Sequence, residues 1–220
     1  RLREAARLTD AAFDHVLNGV LRVGTREVDV AIELDRFVRQ NGGDGLAFEA
    51  IVAGGPRSAM PHGVASPRTL ERGDLVTLDF GAKVDGYHAD MTRTVALGPV
   101  AEPLRSWFDA VLDAQVAAVA AIRPGLSGVD ADAVARSRLA AAGLAERFTH
   151  SLGHGTGLDI HEGPALSLRS KDVLAAGMIA TIEPGVYDAA VGGLRIEDLL
   201  LVTEQGHEVL SRSPKGYVEL

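Results

Sequence analysis

Apolar residues recur at helical spacing along the first stretch of the chain. Leu2, Ala5, Leu8, Ala12, Val16 and Val20 fall on one face of a helix spanning 1–23. Gly24 ends it, and Thr25 is placed to cap a second helix running to about Gln40. The period then changes. Phe48–Ala53 is an apolar run that predicts a strand, leading into a loop rich in Gly, Pro and Ser. Leu75–Ala82 and Tyr87–Leu97 alternate or run apolar around Lys83-Val84-Asp85-Gly86, the pattern of a β-hairpin.

Helical spacing returns from near Pro103 to Ile122 and stops at Pro124-Gly125. Ser127-Gly128-Val129-Asp130, a variant capping box, opens a further helix to about Ala142. Strands follow at roughly Met178–Val186, Arg195–Thr203 and Glu208–Leu210. The order is helices then strands, twice over, although no residue-level repeat is visible. Segregated helices and antiparallel hairpins indicate an α+β domain.

At 220 residues and 46% hydrophobic, the chain can bury a sizeable core and is expected to form one domain over 1–220. A net charge of -8 argues against nucleic acid or a membrane surface as the main partner. With no cysteine there is no disulfide and no thiolate metal site, which fits a reducing, cytoplasmic setting. No apolar run reaches membrane-spanning length, and Arg1-Leu2-Arg3-Glu4 is no signal peptide. The chain starts without Met and opens inside a predicted helix, as a fragment or processed chain would.

Five residues suggest chemistry. Asp79 and Asp90 lie symmetrically about the Val84–Asp85 midpoint, so a regular hairpin would set them opposite each other on one face. Two facing carboxylates repel unless a cation lies between them; the plainer alternative is a pair of solvent-facing strand acids. Glu183 ends an apolar strand, and Glu197 sits between Ile196 and the Leu199–Val202 run. Buried there, each needs a cation or a proton. A salt bridge, for instance to Arg195, would also serve. His154 is flanked by glycines in Gly153-His154-Gly155-Thr156-Gly157, which lets backbone approach a ligand closely. That stretch is a poor phosphate loop, since no Lys-Ser/Thr follows, and His161-Glu162 lacks the second histidine of a zincin helix. Four carboxylates and one imidazole are the donor count that two divalent cations sharing a water require. Such a set suits Mn, Co, Fe or Zn better than Cu.

LDFGAKVDGYHADMTRT, HSLGHGTGLDIHE, TIEPGVY and RIED, with SAMPHG upstream, follow one another in order. Together they resemble the pita-bread metallopeptidases, the family of methionine aminopeptidase, aminopeptidase P and prolidase, over essentially the whole chain. The resemblance implies the pita-bread fold, a curved antiparallel sheet covered by helices. It also implies two divalent metal ions, manganese first, with cobalt, zinc or iron as alternatives. Asp79 and Asp90 would bind one metal, His154 and Glu183 the second, with Asp90 and Glu197 bridging. A metal-bridging water would attack the scissile carbonyl, and Glu183 would shuttle its proton toward the leaving amine.

Three further histidines match family positions: His62 in the active site, His161 steadying the tetrahedral intermediate, and His150 near the substrate. His15 and His207 match nothing and read as surface residues; His88 reads as packing. Tyr187 and Arg195 resemble the proline-directed branch, although a hairpin hydroxyl and a plain salt bridge would also account for them. Ala165 stands where many prolidases carry an arginine for the dipeptide's carboxylate. The expectation is therefore aminopeptidase P-like release of the residue before a proline, with prolidase or methionine aminopeptidase as enzymatic alternatives. A non-catalytic peptide- or partner-binding module is the alternative outside enzymes. Proline-directed members generally carry an N-terminal domain before this one, which often supports dimerisation. A peptide is the implied substrate, and a homodimer is the assembly to test for.

Overall fold

The computed structural model describes residues 1–220. Helix α1 (Leu2–Gly19) buries Ala5, Leu8, Ala12, Phe13 and Val16, the face that the periodicity marks. It stops before Gly24. Thr25 does not cap α2 (Glu27–Gln40): its hydroxyl donates to the Val20 carbonyl at 2.9 Å, and the helix opens two residues later.

Six strands follow: β1 (Gly45–Leu46), β2 (Ile51–Gly54), β3 (Leu75–Phe80), β4 (Ala82–Val84), β5 (Tyr87–His88) and β6 (Met91–Ala96). The hairpin exists, but its register differs from the expected one. Val84 pairs with Tyr87, leaving Asp85-Gly86 as a two-residue turn in which both residues have positive φ. That is the backbone a type I′ turn demands. The register therefore sets Asp79 opposite Thr92, not opposite Asp90. Asp90 lies in the break between β5 and β6, beside Gly81, where an added Cβ would sit 1.7 Å from the Ala89 carbonyl oxygen.

The second half repeats the order. Helix α3 (Leu104–Ala121) packs on α4 (Gly128–Ala141), whose Ser127 cap accepts from the Asp130 amide at 3.0 Å. The strands are β7 (Gly153–Gly155), β8 (Glu162–Leu166), β9 (Ile179–Ile182), β10 (Gly185–Asp188), β11 (Gly192–Arg195), β12 (Asp198–Thr203) and β13 (Gly206–Val209). The predicted strand Met178–Val186 is broken at Glu183-Pro184, where the Glu183 amide leaves the ladder for the Leu152 carbonyl at 2.8 Å. Arg195–Thr203 is broken at Ile196-Glu197, where the Glu197 amide reaches the Thr92 carbonyl at 3.1 Å. Pairing is antiparallel throughout, with strand orders β2-β3-β6 and β13-β12-β9 in the larger sheets.

Each half has its own apolar core. One gathers α1 and α2 over β2, β3 and β6 with Phe13, Leu34, Leu78 and Phe80; the other gathers α3 and α4 over β9 and β12 with Phe108, Val111, Ile182 and Leu200. No helix is long and apolar enough to cross a membrane.

Candidate metal centre

The strand breaks converge. Carboxylate oxygens of Asp79 on β3, Asp90 before β6 and Glu197 before β12 lie within 4.8 Å of one another. His154 on β7 brings Nε2 to 3.3 Å from Glu183 Oε1 and 3.6 Å from Asp90 Oδ2. All five expected ligands are therefore in one place, on the floor of a cavity of about 310 Å³. Its walls include Phe48, Ile51, His62, His150, Ile160 and His161.

Charge balance at this spot is poor. Four acids face a single guanidinium, Arg195, which bonds Asp79 and comes within 4.0 Å of Glu183. Asp79 Oδ1 and Glu197 Oε1 are buried with no hydrogen-bond partner. Buried polar atoms are rarely left so, because each forfeits its hydration. Burial, then the charges of Glu197, Asp79 and Glu183, push the Asp90 carboxyl well above the usual carboxylate range. Glu197 rises in the same way through burial, Glu183 and Asp79. Burial lifts Glu183 to about 7. Among these side chains alone, Asp90, Glu183 and Glu197 hold their protons more tightly than they would in water. Hard divalent cations would replace those protons, so oxygen donors with two orphaned atoms fit the metals that the resemblance implies.

Hydrogen bonds aim the ligands. His154 Nδ1 lies 3.0 Å from the Gly155 carbonyl, which can only accept, so Nδ1 carries the proton and the Nε2 lone pair faces the acids. Burial lowers the His154 pKa and keeps the ring neutral, as a metal ligand must be. Thr181 is a hinge between two ligands: its hydroxyl accepts from the His154 amide at 3.0 Å and donates to Glu183 Oε1 at 3.0 Å. Thr92 donates to Glu197 Oε2 at 2.7 Å and accepts from Arg195 Nε at 3.1 Å. The sequence reading passed over both threonines, though strand alternation from Asp79's partner position would have found Thr92. The glycines around His154 serve packing, not ligand approach: a Cβ on Gly153 would sit 1.9 Å from the Thr181 carbonyl oxygen, and one on Gly155 2.1 Å from that of Gly163.

The residues expected to contact substrate divide into two groups. His62 and His161 are exposed on the cavity wall, with the His161 ring 4.4 Å from that of His154. His150, Tyr187 and Arg195 form a chain of hydrogen bonds. Arg195 donates to the Tyr187 hydroxyl at 2.6 Å, and that hydroxyl lies 3.1 Å from His150 Nε2. Arg195 also bonds Asp79, so the chain ends on the acid cluster. Burial, then Arg195, lowers His150 to about 4, while burial lifts Tyr187 to about 12. Tyr187 is buried behind the cavity wall and does not line it.

The remaining histidines are not free surface groups. His15 stacks on Phe37 and meets Glu33 at 2.5 Å, and His207 Nδ1 lies 2.9 Å from the Ile122 carbonyl. His88 packs as expected, and its amide and ring both address the Gly157 carbonyl. A second cleft of about 380 Å³ lies beside Arg1, Arg3, Arg7 and Arg212, where Arg3–Glu208 and Arg7–Glu4 already pair.

The family model for metallopeptidase family M24 matches residues 1–204. A solved Xaa-Pro dipeptidase from Bacillus anthracis superposes with a TM-score of 0.98 at 48% identity, covering 100% of this chain and 61% of that one. The prolidase from Pyrococcus furiosus superposes at 0.95 with 42% identity, covering 97% and 63%. An X-Pro aminopeptidase from Thermotoga maritima superposes at 0.96 with 39% identity, covering 100% and 62%. The chain thus spans about three fifths of the length of these relatives, and its fold is the pita-bread fold. With a matching family model, this fold and a converged acid–histidine cluster in hand, the chain belongs to metallopeptidase family M24.

Proposed function

We propose that this chain carries the catalytic centre of a proline-directed peptidase, with Xaa-Pro dipeptides as the first substrate class. The observation that carries this reading is the cluster of Asp79, Asp90, Glu183, Glu197 and His154, with two orphaned carboxylate oxygens, at the base of a cavity. Similarity to Xaa-Pro dipeptidases supports the dipeptide. Those five residues would hold two divalent cations. When bound, such ions supply Lewis-acid activation of a water and of the scissile carbonyl.

The chain's own groups do the rest. Glu183, whose Oε1 lies 3.3 Å from His154 Nε2 on the cavity lining, is placed to take a proton from the attacking water and return it to the leaving proline nitrogen. His161 and His62, on the wall, can donate hydrogen bonds where charge develops on the carbonyl oxygen. Phe48, Ile51 and Ile160 give the cavity apolar surface for side chain or pyrrolidine ring.

A second reading, release of the first residue from longer Xaa-Pro peptides, rests on a specific feature. Ala165, which stands where many prolidases carry an arginine, faces His154 across the β7–β8 ladder. Arg195, the one guanidinium lining the cavity, is held by Asp79, Tyr187 and the Pro61 carbonyl rather than free for a substrate carboxylate. The test is hydrolysis of an Xaa-Pro dipeptide against an Xaa-Pro-Yaa tripeptide by metal-stripped protein reloaded with Mn²⁺. Preference for the dipeptide supports the first reading and preference for the tripeptide the second. No hydrolysis of either by the Mn²⁺-loaded protein overturns both.

A further inference from the structure

Between Gly54 and Ser66 the chain leaves β2, makes a short 3-10 turn (Gly55–Ala59) and carries His62 to the cavity wall. Its middle is tied to the other half of the molecule. The Gly193 amide donates to Ser58 Oγ at 2.9 Å, and Arg195 donates to the Pro61 carbonyl at 3.1 Å. Its two feet meet at one carboxylate on α2.

That carboxylate is Glu27, the first residue of α2, and it is fully buried. Glu27 Oε1 accepts from the Gly54 amide at 2.9 Å. Oε2 accepts from Arg57 Nη1 at 2.8 Å, from the Ser66 amide at 3.1 Å and from Ser66 Oγ at 2.7 Å. Arg57 passes the constraint on by donating to the Val64 carbonyl at 2.7 Å, two residues from His62. A buried carboxylate with four donors is fully compensated by hydrogen bonds. None of these bonds touches a metal-ligand side chain.

We propose that Glu27 is a positioning residue for the reaction, closing the 54–66 loop like a clasp and thereby fixing His62 against the metal centre. The inference rests on the peptidase reading for its catalytic consequence, though not for the clasp itself. Glu27 touches no substrate and acts only through the loop. Loosening it frees His62 while β3, β6, β7 and β12 keep the ligands in place.

The test uses Glu27→Gln, in which an amide NH₂ faces donors in place of one carboxylate oxygen. Hydrogen exchange over 54–66 is expected to quicken, with the Mn²⁺ stoichiometry of the wild type retained. Exchange equal to wild type, or loss of Mn²⁺, overturns the proposal even in a protein that turns over no peptide, which separates failure of the clasp from failure of the peptidase reading. In active protein, kcat/KM on the preferred Xaa-Pro peptide is expected to fall by about tenfold to a hundredfold, since small misplacements cost that much. The Glu27→Gln/His62→Ala double variant should be no slower than His62→Ala alone, because both changes remove one function. Losses that multiply, or an unchanged Glu27→Gln rate, would show that Glu27 does not act through His62. Should Glu27→Gln not fold, Ser66→Ala removes one donor only and is expected to move exchange and rate the same way by less; no change in either would overturn the clasp.

Discussion

Glu197 and Asp198 are adjacent, both are buried, and they face opposite sides of the sheet and opposite fates. Asp198 accepts from Arg93 at 2.8 Å, Gln115 at 2.8 Å and Lys215 at 2.6 Å. Burial works against its ionisation, but Arg93 and Lys215 outweigh it, and its carboxyl lies below the usual range. Glu197 has Thr92 on one oxygen, nothing on the other, and three acids nearby, and its carboxyl lies well above the range. Thr92 and Arg93 alternate in the same way on β6, which meets this segment where the Glu197 amide reaches the Thr92 carbonyl. A single pair of strand segments thus builds a self-sufficient salt-bridge cluster on one face and an acid cluster with unpartnered oxygens, suited to cations, on the other. Burial alone does not mark a candidate site acid; burial without a partner is the feature that sets Glu197 apart from Asp198.

The largest effect expected from breaking this contrast comes at Asp90. Asp90→Asn should abolish hydrolysis and weaken Mn²⁺ binding, while the metal-stripped variant melts at a higher temperature than stripped wild type at neutral pH, because an acid that is ionised in the unfolded chain no longer has to be buried beside three others. Calorimetry on both forms, alongside the activity assay, checks this; wild-type activity in the variant would remove Asp90 from the ligand set. On the other face the loss of an acid should have the opposite sign, because Asp198 is held ionised by its partners. Asp198→Ala strands Arg93 in the interior and should cost about 3–5 kcal/mol in urea unfolding. An unchanged midpoint there would mean that the two faces are not energetically distinct.

The pH dependence sharpens the contrast. The Glu183 carboxyl is raised from 4.5 to about 7, so its contribution to stability is complete below about 4.5 and is lost as pH rises through 7. Stripped wild type should therefore lose on the order of 3 kcal/mol relative to stripped Glu183→Gln between pH 5 and pH 8. With Mn²⁺ bound the trend should reverse, because protons compete with the metal for the ligands. Parallel curves for the two stripped proteins would refute the raised Glu183. The smallest change expected is Thr92→Val, which leaves Glu197 Oε2 and Arg195 Nε each short of a partner. About 1.5 kcal/mol of stability should go, with Mn²⁺ affinity falling about tenfold. Isothermal titration reads the second number, and an affinity equal to wild type would make Thr92 a purely structural residue.

Much of this was visible along the chain. The helices fall where their apolar periodicity places them, and Ser127 caps α4 as its side chain suggests. Asp79, Asp90, His154, Glu183 and Glu197 stood out because acids and a glycine-flanked histidine interrupt apolar strands. The hairpin register was misread by two residues, since Asp85-Gly86, with both residues at positive φ, forms the turn and a centre at Val84–Asp85 does not. The two long strands predicted in the second half each break at an acid of the candidate metal site, because Glu183 and Glu197 turn their amides to Leu152 and Thr92. Alternation along the strand points to Thr92, whereas nothing local marks Thr181 or Glu27, since a polar strand or helix-start residue that packs looks the same as one that holds a loop.

What the sequence determined by itself is the set of elements and the donor chemistry, because helical period, turn residues and side-chain type act over a few positions. Which acids remain without a partner was decided only in three dimensions. Glu197 and Asp198 have similar local settings, and what separates them is whether Asp79 and Asp90 or Arg93 and Gln115 wait on the face each side chain enters. Those partners lie tens to more than a hundred positions away, and only the packing of the two halves brings them to opposite sides of the Glu197–Asp198 segment.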